Sequence, residues 1–158
     1  MTLLAPFGIG FDTAMLIAVL LPMVGAVLIM LADRWPNLRE TITLTTAVSL
    51  FIVVVHLLGG FLNGEAPRLM LLEVVPGIPL ALKLEPLGMI FALVASGLWI
   101  ITSLYAIGYM RGNNEKHQSR FYACFAIALG ASMGIAFADN LFTLFIFYEV
   151  LTLSTYPL

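Results

Sequence analysis

The chain has 158 residues, of which 61% are hydrophobic and only 10% are charged, and its mean hydropathy is +1.06. A soluble domain carries roughly one-quarter charged residues, so this composition excludes a water-soluble globule. The formal net charge of −2 leaves no basic surface for phosphates, which excludes a nucleic-acid-binding protein. The single cysteine, Cys124, cannot form an internal disulfide, and no Cys/His cluster has metal-ligand spacing, so no metal or redox site is expected.

Five apolar stretches predict membrane-spanning helices, since about 20 mostly apolar residues cross the hydrocarbon core. In chain order they lie near residues 13–32, 41–61, 87–110, 120–138 and 141–158. The fifth stretch gives about 27 Å of helix and just reaches across. No Lys or Arg precedes the first stretch, so we expect no cleaved signal peptide. The predicted fold is an all-α membrane protein with one transmembrane domain, residues 1–158.

The segment between the second and third helices, residues 69–85, has a pattern of its own. Val75-Pro76-Gly77-Ile78 places proline and glycine in the order of a type II turn, and alternating leucines follow it. This pattern predicts a short outer β-hairpin. An irregular amphipathic loop is about equally compatible with the sequence, because Pro79 cannot donate a hydrogen bond to a strand partner. Asp139-Asn140 is expected to form the other outer turn, with Asn140 capping the fifth helix.

The basic residues between the predicted helices favour one orientation, since cytoplasmic loops are enriched in Lys and Arg. Five of them fall on one side and two on the other: Arg34, Arg39, Arg111, Lys116 and Arg120 against Arg68 and Lys83. We therefore expect a multi-pass protein of the plasma (inner) membrane with its N-terminus outside and its C-terminus inside.

Glu149 is the principal candidate for a functional side chain. It follows Asn140 by about 13.5 Å of helical rise, which places it near the middle of a hydrocarbon layer about 30 Å thick. Thr152 and Tyr156 share its face of the helix, at positions i+3 and i+7. A carboxyl group in such a place takes up or releases a proton when a neighbouring charge moves. The alternative is a buried glutamate that only joins helices by hydrogen bonds, but charged groups inside membranes are more often functional.

Two other features are weaker candidates. His56 falls in the second helix near the outer interface, where it could belong to a proton relay or could equally be a hydrogen-bonded packing residue. In the fourth helix, small residues recur every four positions, which predicts close packing against another helix. This stripe consists of Ala126, Gly130, Gly134 and Ala138.

No nucleophile with its base, phosphate-binding glycine loop or dinucleotide fingerprint is present, so the chain carries no recognisable catalytic centre. The residues alone fit either a membrane protein in which Glu149 carries the function or a structural membrane scaffold.

Several motifs in the second half of the chain carry a family resemblance. They are Tyr105 with Tyr109-Met110, then Arg120-Phe121-Tyr122, the run from Asn140 to Glu149, and the closing segment from Leu153 to Leu158. In these motifs the sequence resembles the proton-translocating antiporter-like family. That family includes subunits L, M and N of NADH-quinone oxidoreductase, subunits A and D of the Mrp sodium/proton antiporters, and the matching subunits of membrane-bound hydrogenases. The resemblance favours the Mrp D-like and hydrogenase-like branch.

The resemblance implies a role for Glu149 and a need for partners. It places the essential carboxylate of the family at Glu149 and equates this chain with the N-terminal third of a longer subunit. Family members pair that carboxylate with a lysine of a later helix, whereas Lys83 and Lys116 both lie outside the predicted helices here. We therefore expect other membrane subunits, one of which supplies an intramembrane lysine, or else a chain that is a truncated part of a longer polypeptide. The expected function is proton translocation, coupled to sodium/proton antiport or to redox energy, with no cofactor bound to this chain. The alternative functions are a non-catalytic membrane subunit of an oxidoreductase and a structural membrane scaffold.

Overall fold

The computed structural model describes residues 8–158, which form five helices and one two-stranded sheet. In chain order the elements are α1 (Phe11–Leu31), α2 (Pro36–Leu62), β1 (Arg68–Val75), β2 (Ile78–Lys83), α3 (Pro86–Gly112), α4 (Gln118–Ala136) and α5 (Leu141–Thr155). Helices α1 to α4 are long and apolar enough to cross a membrane, and α5 is a shorter apolar helix of 15 residues. The predicted all-α membrane fold is confirmed, and the chain is a multi-pass membrane protein.

The start of α2 differs most from the expected helix boundaries. It begins at Pro36 rather than near residue 41. Proline suits the first helical position because its missing N–H would have no partner there in any case, and because its fixed φ angle is already helical. Pro36 is therefore the first residue of α2. As a result, Arg39 and Glu40 lie within α2 and not in a loop.

Helix α5 is three residues shorter than expected, since it ends at Thr155. Pro157 has no N–H with which to continue the helical hydrogen-bond ladder. Fifteen residues give about 22 Å of helix, which is less than the hydrocarbon thickness of about 30 Å. The described helices α1, α3 and α4 begin and end within two residues of their expected ranges.

The helices pack in the spatial order α5, α4, α1, α2, α3, with α3 also touching α4. Helices α4, α1 and α2 therefore each pack against at least two neighbouring helices. Large fully buried side chains fill the spaces between them: Met15, Ile29, Leu50, Leu57, Trp99, Met133 and Phe137. Many Leu, Ile and Val side chains on the outward faces are exposed, which is the distribution expected for helices surrounded by lipid.

The segment after α2 is a β-hairpin, which decides between the two predicted alternatives. Paired residues run from Arg68 opposite Lys83 to Val75 opposite Ile78. Pro76 and Gly77 form the turn, and the φ angle of Gly77 is +85°, a left-handed value that a type II turn requires at this position. The Glu73 carboxylate accepts a hydrogen bond of 2.8 Å from the N–H of Gly77, which closes the turn further.

Strand β2 also pairs with the connection between α4 and α5. The N–H of Lys83 donates to the carbonyl of Phe137 at 2.6 Å, and the N–H of Asp139 donates to the carbonyl of Ala81 at 3.0 Å. An ion pair of 2.6 Å joins Arg68 to Asp139. The hairpin is thus anchored to the corner from which α5 starts, which stabilises a two-stranded unit that would be marginal alone.

Candidate functional site

Asn140 positions the start of α5. Its side-chain oxygen accepts a hydrogen bond of 2.8 Å from the N–H of Thr143, as expected of a helix N-cap, and its amide nitrogen donates to the carbonyl of Pro79 at 2.7 Å. The Thr143 hydroxyl in turn accepts a hydrogen bond of 3.0 Å from the N–H of Ala81 in β2. The turn and cap predicted at Asp139-Asn140 are therefore present. They fix both the register of α5 and its attachment to the hairpin.

One face of α5 packs on α4. The buried residues of α5 are Thr143, Phe147 and Ser154, spaced four and seven positions apart. The ring of Phe147 lies over Gly134, where an added Cβ atom would come within 2.4 Å of the ring. A glycine at this position therefore allows α5 to approach α4 closely. This contact determines which residues of α5 point away from the rest of the chain.

The opposite face of α5 carries Glu149. Thr152 and Tyr156 lie on the same face, as their spacing predicts, and all three are exposed. The Thr152 hydroxyl donates to the carbonyl of Tyr148 at 3.0 Å within the helix. Among residues 8–158 no ion pair joins Glu149 to a Lys, Arg or His side chain. The Glu149 carboxylate thus points away from the rest of the described chain.

His56 lies in a different part of the molecule. It is buried in the C-terminal half of α2, with its Nε2 atom 3.3 Å from the carbonyl oxygen of Ile9 and its ring stacked on Phe11. It also lines an apolar cavity of about 270 Å³ between α1 and α2. The extensive contacts of α2 are with α1 and α3, whereas those of α5 are with α4 and β2. The structure therefore does not bring His56 and Glu149 into one site.

The small residues predicted as a stripe on α4 contact several neighbouring elements and not one. A Cβ atom on Gly130 would lie 3.0 Å from the carbonyl oxygen of Val19 in α1, whereas one on Gly134 would meet Phe147 in α5. Ala126 is fully buried between the helices. Ala138 lies beyond the end of α4 and forms a β-bridge with Leu82. The four residues thus lie at contacts with α1, α5 and β2.

A buried charged cluster at the other end of the molecule was not predicted from the sequence. Arg39 and Glu40 are each only 6% exposed, and Arg111 at the end of α3 binds both carboxylate oxygens of Glu40, at 2.6 and 2.9 Å. The Arg39 guanidinium lies 3.8 Å from the same carboxylate. Glu40 thereby ties α2 to α3. The charged pair Arg39-Glu40 directly before an apolar stretch could have indicated the cluster. It was not recognised because residues 33–40 were expected to form a loop.

Arg39 extends this cluster to α4. Its guanidinium donates to Gln118 Oε1 at 2.8 Å and to the Ser119 hydroxyl at 3.0 Å, and it lies over the ring of Tyr122 at 5.5 Å. A polar cavity of about 440 Å³ opens beside Arg39 and Glu40. These contacts gather the ends of three helices at one charged centre. The described residues 8–158 include no group of three or more His, Cys, Asp or Glu side chains placed to hold a metal ion.

Comparisons with known proteins agree with the motifs. Residues 76–122 match the family model for the N-terminus of chain 5 of NADH-ubiquinone oxidoreductase (complex I). The Na(+)/H(+) antiporter subunit A1 of Staphylococcus aureus is 28% identical over 146 residues, which cover 90% of this chain and 18% of that protein. The same subunit of Staphylococcus aureus strain bovine RF122 / ET3-1 shows the same identity and coverage.

A solved structure shares the fold. One chain of the membrane-bound sulfane sulfur reductase (MBS), described as an archaeal respiratory membrane complex, superposes with a TM-score of 0.73 at 24% identity. The match covers 88% of this chain and 21% of that one. The chain therefore spans about a fifth of the length of the relatives it matches. These findings confirm the resemblance that the motifs predict: over this length, the chain is similar to antiporter-like membrane subunits.

Proposed function

We propose that the chain is part of an ion-translocating membrane subunit of a multisubunit complex, and that Glu149 carries the charge that switches during translocation. The complex moves protons and couples their movement to sodium/proton antiport or to redox energy. One observation carries the proposal. Glu149 lies on a face of a membrane helix that the rest of the described chain leaves exposed, although the opposite face is firmly packed on α4.

The energetics of this position require a covering surface. A charged side chain at the centre of a bilayer costs about 2.5–3.5 kcal/mol on insertion scales. Packing α5 on α4 with Phe147 inward forces Glu149 outward, so the helix cannot hide the carboxylate by rotating. Another segment or subunit must therefore present polar groups to this face.

We propose that the covering surface carries an ammonium group. The only lysines of this chain are Lys83, in β2, and Lys116, between α3 and α4, and Lys83 already lies 3.2 Å from Glu85. A lysine of a partner helix at about 4–6 Å from Glu149 would stabilise the ionised carboxylate. Withdrawal of that lysine would favour proton uptake by Glu149 and proton release by the lysine. The displacement of one charge would thus move a proton.

The other polar residues have supporting roles in this proposal. Thr152 and Tyr156 lie on the same face as Glu149 and would hydrogen-bond to water or to the covering segment. His56, which lies at a distance on α2, would act near the outer surface in proton exchange or as a packing residue. The proposed orientation places the α3–α4 connection, with its basic residues, inside and the hairpin outside the plasma (inner) membrane.

The names of the relatives support ion transport and also favour a second candidate. The Staphylococcus aureus relatives are Na(+)/H(+) antiporter subunits, whereas the matching family model describes a subunit of NADH-ubiquinone oxidoreductase. In the second candidate the chain is a membrane subunit of a respiratory oxidoreductase and itself binds no electron carrier. A co-purifying hydrophilic subunit with flavin or iron–sulfur absorption would favour the second candidate. Its absence would favour an antiporter.

Replacement of Glu149 tests the proposal. In the assembled complex, reconstituted in vesicles, we expect Glu149→Gln and Glu149→Ala to lower cation-dependent proton flux by at least tenfold, since neither side chain can change its charge. Glu65→Gln is the matched control, because Glu65 is an exposed carboxylate outside the helices. Normal assembly with unchanged flux in both Glu149 variants would instead favour a structural scaffold.

A further inference from the structure

We propose that the connection between α3 and α4 binds the headgroup of an anionic phospholipid. A cavity of about 190 Å³ lies at this end of the molecule, and Lys116 and Arg120 both line it. Glu115 and His117 complete its polar side. The cavity is at the ends of membrane-spanning helices, where phospholipid headgroups lie.

The two basic side chains are available for a ligand. Four of the other five Lys and Arg side chains in residues 8–158 have acidic partners: Arg39 and Arg111 with Glu40, Arg68 with Asp139, and Lys83 with Glu85. The fifth, Arg34, forms no ion pair with described residues. The Lys116 and Arg120 side chains form no ion pair or hydrogen bond with other described residues. The Lys, Arg and Glu side chains that line the cavity have a summed formal charge of +1. A phosphodiester, which carries one negative charge, complements it.

The rest of the cavity is apolar. Its wall includes Met110, Phe121 and Leu158. Phe121 also lines the shallow groove between α3 and α4, where its ring stacks on Phe125 with the ring centres 6.1 Å apart. A headgroup at Lys116 and Arg120 would therefore place an acyl chain along Phe121 and Phe125.

Two exposed tyrosines on α3 also suit a lipid. Tyr105 and Tyr109 of α3 are 71% and 51% exposed, and their rings are stacked with centres 6.1 Å apart. Exposed tyrosines are typical of the membrane interface, where the ring contacts acyl chains and the hydroxyl contacts water. A free phosphate ion would contact only the basic side chains, whereas a phospholipid would contact both the basic half of the site, Lys116 and Arg120, and its apolar half, Phe121 and Phe125. The apolar half therefore favours the lipid.

Photo-crosslinking tests this site in the intact complex. The probe is phosphatidylglycerol with a photoactivatable group on one acyl chain, incorporated into phosphatidylcholine vesicles. We expect labelled peptides that contain Tyr105, Tyr109 or Phe125, and much weaker labelling of them by the matching phosphatidylcholine probe. Lys116→Gln/Arg120→Gln should lower the labelling by about 10- to 30-fold, given the attraction between each basic side chain and an anionic lipid.

Two controls make the result decisive. Arg34→Gln removes an exposed basic residue from the α1–α2 connection, outside this cavity, and should leave labelling unchanged. Lys116→Arg/Arg120→Lys keeps both charges and should retain labelling. Unchanged labelling in the double glutamine variant, or an equal loss in Arg34→Gln, would overturn the proposal. Suppression of labelling by millimolar inorganic phosphate would also overturn it, since that result indicates a site for free anions.

Discussion

At the scale of single residues, Gly134 determines how α5 packs on α4. A Cβ atom there would lie 2.4 Å from the ring of Phe147, which is itself buried between the two helices. We expect Gly134→Ala to destabilise the protein by about 1–3 kcal/mol, as overpacking of a filled interface does. The measurement is the thermal unfolding of the purified complex, monitored through the disassembly of its subunits.

Gly108→Ala provides the matched control for this substitution. Gly108 also lies in a helix, α3, but a Cβ atom there would meet no atom within 4 Å. Alanine has the higher helix propensity, so this variant should be as stable as the parent or more so. Equal stability of the two variants would contradict the close packing of Phe147 on Gly134.

Some residue-scale features follow from the sequence because their causes are local. Asn140 could be predicted as an N-cap, since the cap bonds a backbone group only three residues away. The shared face of Glu149, Thr152 and Tyr156 follows in the same way from helical geometry. The exposure of that face could not be predicted, because it depends on the contact between Phe147 and Gly134, which brings together two separate helices.

At the scale of secondary-structure elements, the buried pair Arg39 and Glu40 connects α2 to α3 and α4. Replacing Glu40 with alanine leaves the Arg39 guanidinium buried without its carboxylate partner. We expect Glu40→Ala to destabilise the protein by about 3–5 kcal/mol, the cost of breaking a buried ion pair from one side. Thermal unfolding of the complex, or its yield in membranes, measures this effect.

Glu65→Ala is the control for Glu40→Ala, because it removes an exposed carboxylate between α2 and β1. Its effect should stay within about 0.5 kcal/mol, as for most surface substitutions. Equal stability of Glu40→Ala and Glu65→Ala would contradict a stabilising contact between α2 and α3 through Glu40.

The same cluster could not be predicted from the sequence, because its contacts join residues that are far apart along the chain. Glu40 and Arg111 are 71 positions apart, and Arg39 and Ser119 are 80 apart, so no local window relates them. In addition, hydropathy predicts a start near residue 41, because it does not register that a proline such as Pro36 can be the first residue of a helix. The hairpin was one of two alternatives for a similar reason. Its bonds to residues 137–139 stabilise the strand, and these are distant in sequence.

At the scale of the whole molecule, the basic residues predict which end faces the inside. Cysteine labelling tests this orientation in a Cys124→Ser background. A cysteine introduced by Glu65→Cys should react with a membrane-impermeant thiol reagent added outside intact cells, because Glu65 lies next to the hairpin. One introduced by Asn114→Cys, between α3 and α4, should react only after permeabilisation. The reverse pattern would contradict the predicted orientation.

The number of helices could be predicted from hydropathy, but their neighbours could not. Each long apolar stretch must form a helix in a bilayer, whatever its partners, because its backbone groups have no water to bond. The packing of α4 between α1 and α5 depends on which small residues meet, as at Gly130 and Gly134. The resulting arrangement leaves Glu149 at the edge of the described chain, where a partner surface would cover it.

Infrared difference spectroscopy tests most directly whether Glu149 changes its charge. Spectra of the reconstituted complex would be recorded before and after an ion gradient is imposed across the vesicle membrane. We predict a difference band of a protonated carboxyl group that shifts when glutamate is labelled with carbon-13 and that is missing in Glu149→Gln. Identical carboxyl bands in the parent complex and in Glu149→Gln, with both complexes fully assembled, would contradict the account.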